Sequence, residues 1–236
     1  MDVFCRKEIK YLVDSRQRAA LEAAFVRHMQ PDRFPHSSIR NIYYDTPDFR
    51  LIRRSLESPV YKEKLRMRCY GGDQQEVFLE MKKKYKGIVY KRRIILPQQQ
   101  AMDFIEGKAD LPDSQIGREI IYFRDFYQTL QPRIFLRYER DSWCGKEDPG
   151  LRITIDDRIV YRTDDLRLEE SSGDEAILEP GMSLMEVKAE NAIPLWLTEL
   201  LAREKIHKIS FSKYGRAYMR ELQRKMNRER GDQYVR

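Results

Sequence analysis

The order of the predicted elements indicates an α+β fold with a mainly antiparallel sheet. Strand-like runs are numerous, and helical stretches lie between them without the one-for-one alternation that a parallel sheet requires. Several strands also carry charges on a single face, so the sheet could close into a barrel around a polar interior. With 236 residues, 41% of them hydrophobic, the chain can bury a core. We therefore expect a single domain over residues 1–236, with a frayed tail after about residue 230.

Helix and strand signals follow one another along the chain. Asp14 or Ser15 can cap the first helix, and Pro31 and Pro35 are expected to close it. The stretch 49–56 is ambiguous, and residues 169–175 are expected to form a loop. Strands are expected at 4–13, 39–44, 64–69, 77–84, 88–96, 134–143, 151–161 and 183–188. Helices are expected at 16–29, 98–107, 115–130, 194–205 and 212–228.

One stretch, from Lys62 to Arg93, accounts for the net charge of the whole chain. It contains 11 Lys or Arg and 4 Asp or Glu, an excess equal to the net charge of +7. Because successive side chains of a strand point to opposite faces, Lys64, Arg66 and Arg68 share one face and an apolar run points the other way. Three like charges in a row repel one another unless an anion lies among them.

The second run of this hairpin repeats the pattern. Glu80, Lys82 and Lys84 share one face, and a turn signal at Gly71-Gly72-Asp73 joins the two runs. A solvated strand face is the simplest explanation of such a pattern. The stacked like charges favour the alternative, a cationic groove or tunnel that is lined by strands and covered outside by helices.

Several classes of protein are excluded by what the sequence lacks. No apolar run approaches membrane-spanning length and no secretory leader is evident, so we expect a soluble cytoplasmic protein. The three cysteines and three histidines have neither disulfide nor metal-ligand spacing. The glycine-rich loops that cradle nucleotide phosphates are also missing, so side chains would have to bind a polyanion. Arg and Lys suit that task, since Arg bonds phosphate oxygens bidentately and Lys adds a mobile charge.

Four glutamates on predicted strands stand beside these basic residues. They are Glu8, Glu80, Glu139 and Glu186. Each could pair with a neighbouring base, or it could hold a divalent cation that bridges phosphate and protein. For any single glutamate the ion pair is the simpler role, and the sequence leaves both open.

Five short stretches together resemble the VTC domain, the catalytic domain of vacuolar-transporter-chaperone polyphosphate polymerases. That family is a branch of the triphosphate tunnel metalloenzymes, also called CYTH proteins. The resemblance extends from about Phe4 to Met219 and rests on the order and face parity of the five stretches. They are Glu8-Ile9-Lys10-Tyr11, IYYDTPD at 42–48, KLRMRCYG at 64–71, Leu79-Glu80-Met81-Lys82 and Leu184-Met185-Glu186-Val187-Lys188.

The resemblance implies an eight-stranded antiparallel tunnel, closed as a barrel with a basic lumen and helices outside. It implies the following roles for residues of this sequence. Catalytic residues would be Arg66, Arg68, Lys82 and Arg140. Substrate-binding residues would be Lys10, Lys64, Lys91, Arg152, Lys208 and Lys213. Glu186 matches the metal-binding glutamate, and the metal would be Mn²⁺ or Mg²⁺.

The sequence departs from the family pattern at two positions. The wider superfamily begins with an ExExK strand, but Arg6 occupies the first glutamate position here, which is the direction expected of the polymerase branch. The polymerase pattern often has a Lys three residues before the Lys213 position, where this chain has Ser210. Lys208 lies two residues before Ser210 and is expected on the same strand face, so it could substitute for the missing Lys.

The function that the resemblance implies is transfer of the ATP γ-phosphoryl group to a growing inorganic polyphosphate chain, with release of ADP. The expected partners are ATP and polyphosphate, together with a membrane-associated protein as a further candidate. A triphosphatase of the same fold and a non-catalytic polyanion-binding module are the alternatives. Nucleic acid is not expected, because the basic strands lack the exposed aromatic pairs that stack bases.

Overall fold

A computed structural model of the chain describes residues 7–71, 75–86, 88–169, 171–190 and 192–233. Arg6, Cys5 and the predicted turn residues Gly72 and Asp73 lie outside the described residues. The strands are β1 (Lys7–Val13), β2 (Met29–Asp45), β3 (Tyr61–Tyr70), β4 (Glu76–Tyr85), β5 (Ile88–Pro97), β6 (Gln131–Gly145), β7 (Arg152–Arg162), β8 (Glu175–Ala176), β9 (Ser183–Ala189) and β10 (Lys208–Ile209). The helices are α1 (Ser15–His28), α2 (Arg50–Leu56), α3 (Gln98–Ile105), α4 (Gln115–Tyr127), α5 (Leu195–Arg203) and α6 (Lys213–Gln233).

The strands of the described residues form one sheet of ten. Their order is β10-β1-β9-β7-β6-β2-β3-β4-β5, and β8 pairs with β7. The pairs with a defined register, such as β1 with β9 and β3 with β4, are antiparallel. The α+β class with a large antiparallel sheet is therefore confirmed. The strand order has two ends, β10 and β5, so the sheet is open and the closed eight-stranded barrel is not confirmed.

The chain divides into two compact units. The first comprises Met1–Ser38, Tyr138–Ile159 and Leu178–Phe211. Its core packs α1 and α5 against the apolar faces of β1, β7 and β9, through side chains such as Phe25, Leu197 and Val187. Asp14 caps α1 as predicted, because its carboxylate accepts from the Gln17 backbone and the Gln17 side chain accepts from the Asp14 backbone.

The second unit comprises Ile39–Arg137, Val160–Ile177 and Ser212–Arg236. Its core packs α3 and α4 against the apolar faces of β3 and β4. Leu65, Met67, Cys69, Val77, Leu79 and Met81 all belong to this core. The predicted alternation of the hairpin is therefore confirmed, since its apolar face is buried as a continuous row.

Two differences from the sequence-based expectation concern strand limits. The strand predicted at 39–44 begins at Met29, because α1 ends at an extended Met29 and the chain stays extended through Pro31 and Pro35. Proline lacks only the N–H donor, and strands tolerate it where that donor is not needed. The two-residue strands β8 and β10 were not predicted, since two residues carry no periodicity. Among the described residues, no helix is long and apolar enough to cross a membrane.

Candidate functional site

The polar face of the hairpin gathers three cations around one buried carboxylate in the second unit. We call Arg66, Arg68, Glu80 and Lys91 the hairpin cluster. Glu80 lies directly opposite Arg66 in the sheet and is 1% exposed. Arg66 donates from Nε to Oε2 of Glu80 at 2.8 Å, and Nζ of Lys91 forms an ion pair with Oε1 at 2.6 Å. Nε of Arg68 lies 3.8 Å from Oε2.

The cations of this cluster control the charge of Glu80. Burial by itself disfavours the ionised carboxylate. The positive charges of Arg66 and Arg68, with a hydrogen bond from Lys91, outweigh burial and lower the pKa of Glu80 to about 2. Glu80 is therefore an anion at neutral pH, and it neutralises one of three neighbouring cations. Of the two roles that the sequence left open for Glu80, the structure shows the ion pair.

Neutral side chains also hold the two arginines. Arg66 donates from Nη1 to the Tyr43 hydroxyl at 3.0 Å. Arg68 donates from Nε to Oδ1 of Asn41 at 2.8 Å and from Nη1 to the Tyr70 hydroxyl at 3.2 Å. Each guanidinium is thus fixed from more than one side, which pre-organises its planar fork for an oxyanion.

Tyr43 has an unusual environment for a phenol. Burial raises its pKa, but the charges of Arg66, Lys64 and Arg68 outweigh burial and lower the pKa to about 8. Its ring stacks on Tyr214 with centroids 4.5 Å apart, and the Tyr214 hydroxyl donates to buried Asp45 at 2.8 Å. Burial and the neighbouring Asp45 raise the pKa of Tyr214 well above its usual value. The two stacked phenols therefore differ in acidity because one faces cations and the other faces a carboxylate.

A row of lysines crosses the same sheet face beside the hairpin cluster. Lys64 lies opposite Lys82, and Lys82 lies opposite Lys91. Nζ of Lys64 donates to Oγ of Ser212 at 3.0 Å, just before α6 begins at Lys213. Lys82 is exposed and Lys213 is half-buried. The structure thus brings Lys64, Lys82 and Lys91 together as adjacent members of one row.

The polar face of the first unit carries a second cluster. We call Lys10, Arg140, Glu186 and Lys188 the β9 cluster. Lys10 lies opposite Glu186, with Nζ 3.7 Å from Oε1, and it donates to the Phe211 carbonyl at 3.0 Å. Nη2 of Arg140 lies 3.8 Å from Oε2 of Glu186, and Nζ of Lys188 lies 4.0 Å from the same oxygen. Burial lowers the pKa of Lys188, and the charge of Arg140 acts in the same direction.

Asp156 anchors Arg140. Nε and Nη2 of Arg140 donate to the two carboxylate oxygens of Asp156 at 2.6 and 2.7 Å, and Asp156 is fully buried. Burial by itself lowers the pKa of Arg140, but Tyr138 and Asp156 outweigh burial and raise it well above its usual value. A bidentate pair of this kind fixes the guanidinium plane.

The remaining predicted residues of the first unit lie in different places. Arg152 is opposite Lys188 on the polar face, where its Nη1 is 3.5 Å from Oδ2 of Asp32. Lys208 is exposed and lies opposite Tyr11, a core residue, whereas Ile209 lies opposite Lys10. The register therefore does not place Lys208 on the polar face of β1.

Similarity to known proteins identifies the family of this chain. The family model of the VTC domain matches residues 5–221. The chain belongs to the VTC domain family. A curated relative is the vacuolar transporter chaperone complex subunit 4 of Trypanosoma cruzi (strain CL Brener), with 24% identity over 90% of this chain. The match covers 34% of that relative, so this chain spans about a third of its length.

Solved structures of bacterial proteins share the fold of this VTC domain. A candidate adenylate cyclase from Bacillus halodurans is 15% identical with a TM-score of 0.55, and the match covers 88% of this chain and 95% of that one. Another from Vibrio parahaemolyticus is 12% identical with a TM-score of 0.51, covering 90% and 97%. At these identities the likeness extends to the fold alone.

The surroundings of Glu186 include oxygen atoms of the kind that a divalent cation requires. In the part of the chain that the structure describes, no group of three or more His, Cys, Asp or Glu is arranged to hold a metal ion. Glu186 and Glu8 both contact Lys10, the latter at 3.2 Å, and the Thr154 hydroxyl lies opposite Glu186. Mg²⁺ and Mn²⁺ prefer oxygen ligands, and Mg²⁺ often binds through one or two carboxylates with phosphate and water oxygens. The residues present fit such an ion, and the metal role of Glu186 stays a prediction.

Other candidates from the sequence lie elsewhere in this VTC domain. Glu139 contacts His36, with Oε2 and Nε2 3.4 Å apart. It precedes Arg140 in β6, so the two side chains point to opposite faces of the strand. The basic residues of α2 also have neighbours of their own, since Arg53 pairs with Asp48 and Arg50 lies over the Tyr127 ring.

Sequence reasoning missed the residues that orient the arginines. These are Asn41, Tyr43, Tyr70 and Asp156. Asp156 had one usable signal, since it alternates with the apolar Ile153 and Ile155 and therefore shares a strand face with Thr154. The other three are ordinary strand residues whose role depends on their neighbours across the sheet.

Proposed function

We propose that this VTC domain is a polyphosphate polymerase that transfers the γ-phosphoryl group of ATP to the end of an inorganic polyphosphate chain and releases ADP. The observation that carries the proposal is the hairpin cluster, in which one buried carboxylate holds three cations in fixed positions. Glu80 neutralises one of these three positive charges, and the remaining positive charge of the cluster attracts a polyanion. The family and the printed name of the relative support the choice of substrate class.

Phosphoryl transfer suits such a site because it demands little covalent chemistry from the protein. The transferred group carries charge on its equatorial oxygens, and catalysis consists of positioning and charge stabilisation. In the proposal, Arg66, Arg68 and Arg140 hold phosphate oxygens with guanidinium groups that are already oriented. Glu80 and Asp156 keep those groups in place, so little ordering remains to be done when the substrate arrives.

The acceptor in this reaction needs no general base. A terminal phosphate oxygen of polyphosphate is already an anion at neutral pH, unlike a water molecule or an alcohol. Glu80 is committed to three cations, and Asp156 is committed to Arg140. Neither carboxylate is arranged to remove a proton from an acceptor, and the proposed transfer does not require one.

The lysine row supplies a different kind of contact. Ammonium groups on flexible stems are point charges without a fixed orientation, so they hold a phosphate chain at many registers. We assign Lys10, Lys64 and Lys213 this role. Lys91, which pairs with Glu80, and Arg152 are proposed as further substrate-binding residues. Lys82 is proposed as a catalytic cation that neutralises charge on the transferred group.

We propose a divalent cation at the β9 cluster of the first unit. Glu186, with Glu8 near it, would hold Mn²⁺ or Mg²⁺. Such an ion would neutralise charge on phosphate oxygens. Arg140 beside Glu186 orients the substrate, and Lys10 balances the carboxylates.

One experiment tests the proposal. The purified protein is given ATP, Mn²⁺ and a short polyphosphate primer, and its products are compared on a gel and in a phosphate-release assay. ADP with long chains and little free phosphate is the expected result. Stoichiometric free phosphate without chain growth would instead indicate a triphosphatase of the same fold. No nucleotide turnover with any divalent metal would indicate a polyanion-binding module.

A further inference from the structure

Among the residues that the structure describes, one buried hydroxyl beside the β9 cluster makes no hydrogen bond. Thr154 on β7 is 9% exposed, and its buried Oγ1 atom has no hydrogen-bond partner in that part of the chain. Buried polar groups are hydrogen-bonded in the great majority of native proteins, because an unmade bond leaves the desolvation of the group uncompensated. An exception on the polar face of the sheet therefore points to a ligand.

The position of Thr154 indicates which ligand. Thr154 lies opposite Glu186, and Glu186 lies opposite Lys10, so the three side chains form one row across β7, β9 and β1. The next acid on the same face of β7, Asp156, has both carboxylate oxygens engaged by Arg140. Glu186 is thus the carboxylate residue directly opposite Thr154 in the sheet.

We propose that Oγ1 of Thr154 is a ligand of the divalent cation held by Glu186. The inference rests on the proposed function, which calls for such a cation. A hydroxyl is a hard, neutral oxygen donor, and Ser or Thr hydroxyls bind Mg²⁺ in phosphate-binding loops. Because the hydroxyl is neutral, it adds an oxygen ligand without cancelling the positive charge that attracts phosphate. The β-branched side chain has restricted χ1 freedom, so the oxygen is held in place in advance.

Two ammonium groups balance the charge of Glu186. Nζ of Lys10 and Nζ of Lys188 lie 3.7 and 4.0 Å from its carboxylate. A divalent cation at Glu186 would repel both ammonium groups, whose flexible stems allow them to move aside. Glu186 and Thr154 would then hold the ion, which would give the Thr154 oxygen a partner.

The test compares two substitutions of Thr154 in the full chain. Thr154→Val keeps the shape and removes the oxygen, whereas Thr154→Ser keeps the oxygen. Binding of Mn²⁺ alone is measured by the electron paramagnetic resonance signal of the free ion, with Glu186→Gln as the reference for loss of a ligand. Thermal unfolding of each variant is measured without metal. Thr154→Ala provides the same comparison if Thr154→Val does not fold.

We expect Thr154→Val to weaken Mn²⁺ binding about tenfold or more and Thr154→Ser to bind nearly as the wild type does. The metal-free unfolding temperature of Thr154→Val should not fall, because no hydrogen bond is lost. Unchanged Mn²⁺ binding in Thr154→Val, with binding lost in Glu186→Gln, would overturn the inference and leave the proposed function standing. A fall in stability with unchanged Mn²⁺ binding would also overturn it, in favour of a structural hydrogen bond.

Two further outcomes separate this inference from the proposed function. A wild-type chain that binds no Mn²⁺ at millimolar concentration would overturn both the cation site and the Thr154 ligand. A chain that makes no polyphosphate, but loses Mn²⁺ binding on Thr154→Val and regains it on Thr154→Ser, would support the ligand and refute the polymerase.

Discussion

Replacing Glu80 by Gln removes the charge at the centre of the hairpin cluster and retains the shape of the side chain. Arg66, Arg68 and Lys91 then repel one another around a neutral amide. The pKa of Glu80 falls from 4.5 to about 2 on folding, and each pKa unit corresponds to about 1.4 kcal/mol. The ionised carboxylate therefore stabilises the fold by on the order of 3 kcal/mol at neutral pH.

The pH dependence of this contribution has a defined sign. Because the folded-state pKa is the lower one, the contribution is fully present above pH 4.5 and is lost as the pH falls through about 2. Near pH 3 it has dropped below half. The difference in unfolding free energy between wild type and Glu80→Gln should therefore be about 3 kcal/mol at pH 7 and should shrink towards pH 3.

Urea unfolding at several pH values, followed by circular dichroism, measures this difference. Glu106→Gln is a matched control, because Glu106 pairs with Lys108 at 2.6 Å on an exposed surface. Exposed pairs contribute about 0 to 1 kcal/mol, so the control should be nearly neutral. Inorganic tripolyphosphate should stabilise Glu80→Gln more than the wild type, since the anion replaces the lost charge. Equal stability of Glu80→Gln and wild type at pH 7 would refute the central role of Glu80.

Three further predictions concern the two clusters. Lys82→Ala should weaken polyphosphate binding with little loss of stability, because Lys82 is exposed on the polar face, whereas Met67→Lys should destabilise the fold by placing a charge in the core; similar thermal stability losses in both would contradict the face assignment. Glu186→Gln should abolish turnover while polyphosphate binding without metal persists, and an unchanged Mn²⁺ dependence of turnover would place the ligand elsewhere. The pKa of Tyr43 is lowered from 10.0 to about 8, so the wild type should become more stable relative to Tyr43→Phe as the pH rises from 8 to 10. Unfolding measures the difference in stability, and phenolate absorbance measures the titration. A wild-type titration without a phenol near pH 8 would refute that environment.

The sequence by itself determined most firmly which residues share one face of a strand. Side chains alternate strictly along a strand, so charges at every second position mark one face before any partner is known. Leu65, Met67 and Cys69 are core residues for this reason, and Lys64 and Arg66 are on the polar face. The capping box at Asp14 was predictable on the same terms, because its hydrogen bonds join residues three apart.

Strand limits were less predictable, since they depend on pairing. Pro31 and Pro35 read as helix terminators, yet they lie within β2 because the chain stays extended after α1. Lys208 lies on a strand of two residues, which is too short to show the alternation of a strand. Its position opposite Tyr11 is set by the pairing with β1.

The partners of the charged groups were decided only by the tertiary structure. Glu80 pairs with Lys91, and Arg140 pairs with Asp156, because the neighbouring strands are held in one register. A shift of that register by one residue would turn every side chain of a strand to the other face. The same holds for Thr154, an ordinary strand residue in the sequence, which stands beside Glu186 only through the pairing of β7 with β9. Alternation is a property of each strand and can be read locally. Which charge neutralises which is a property of strands brought together by burial of their apolar faces, and so it belongs to the folded chain.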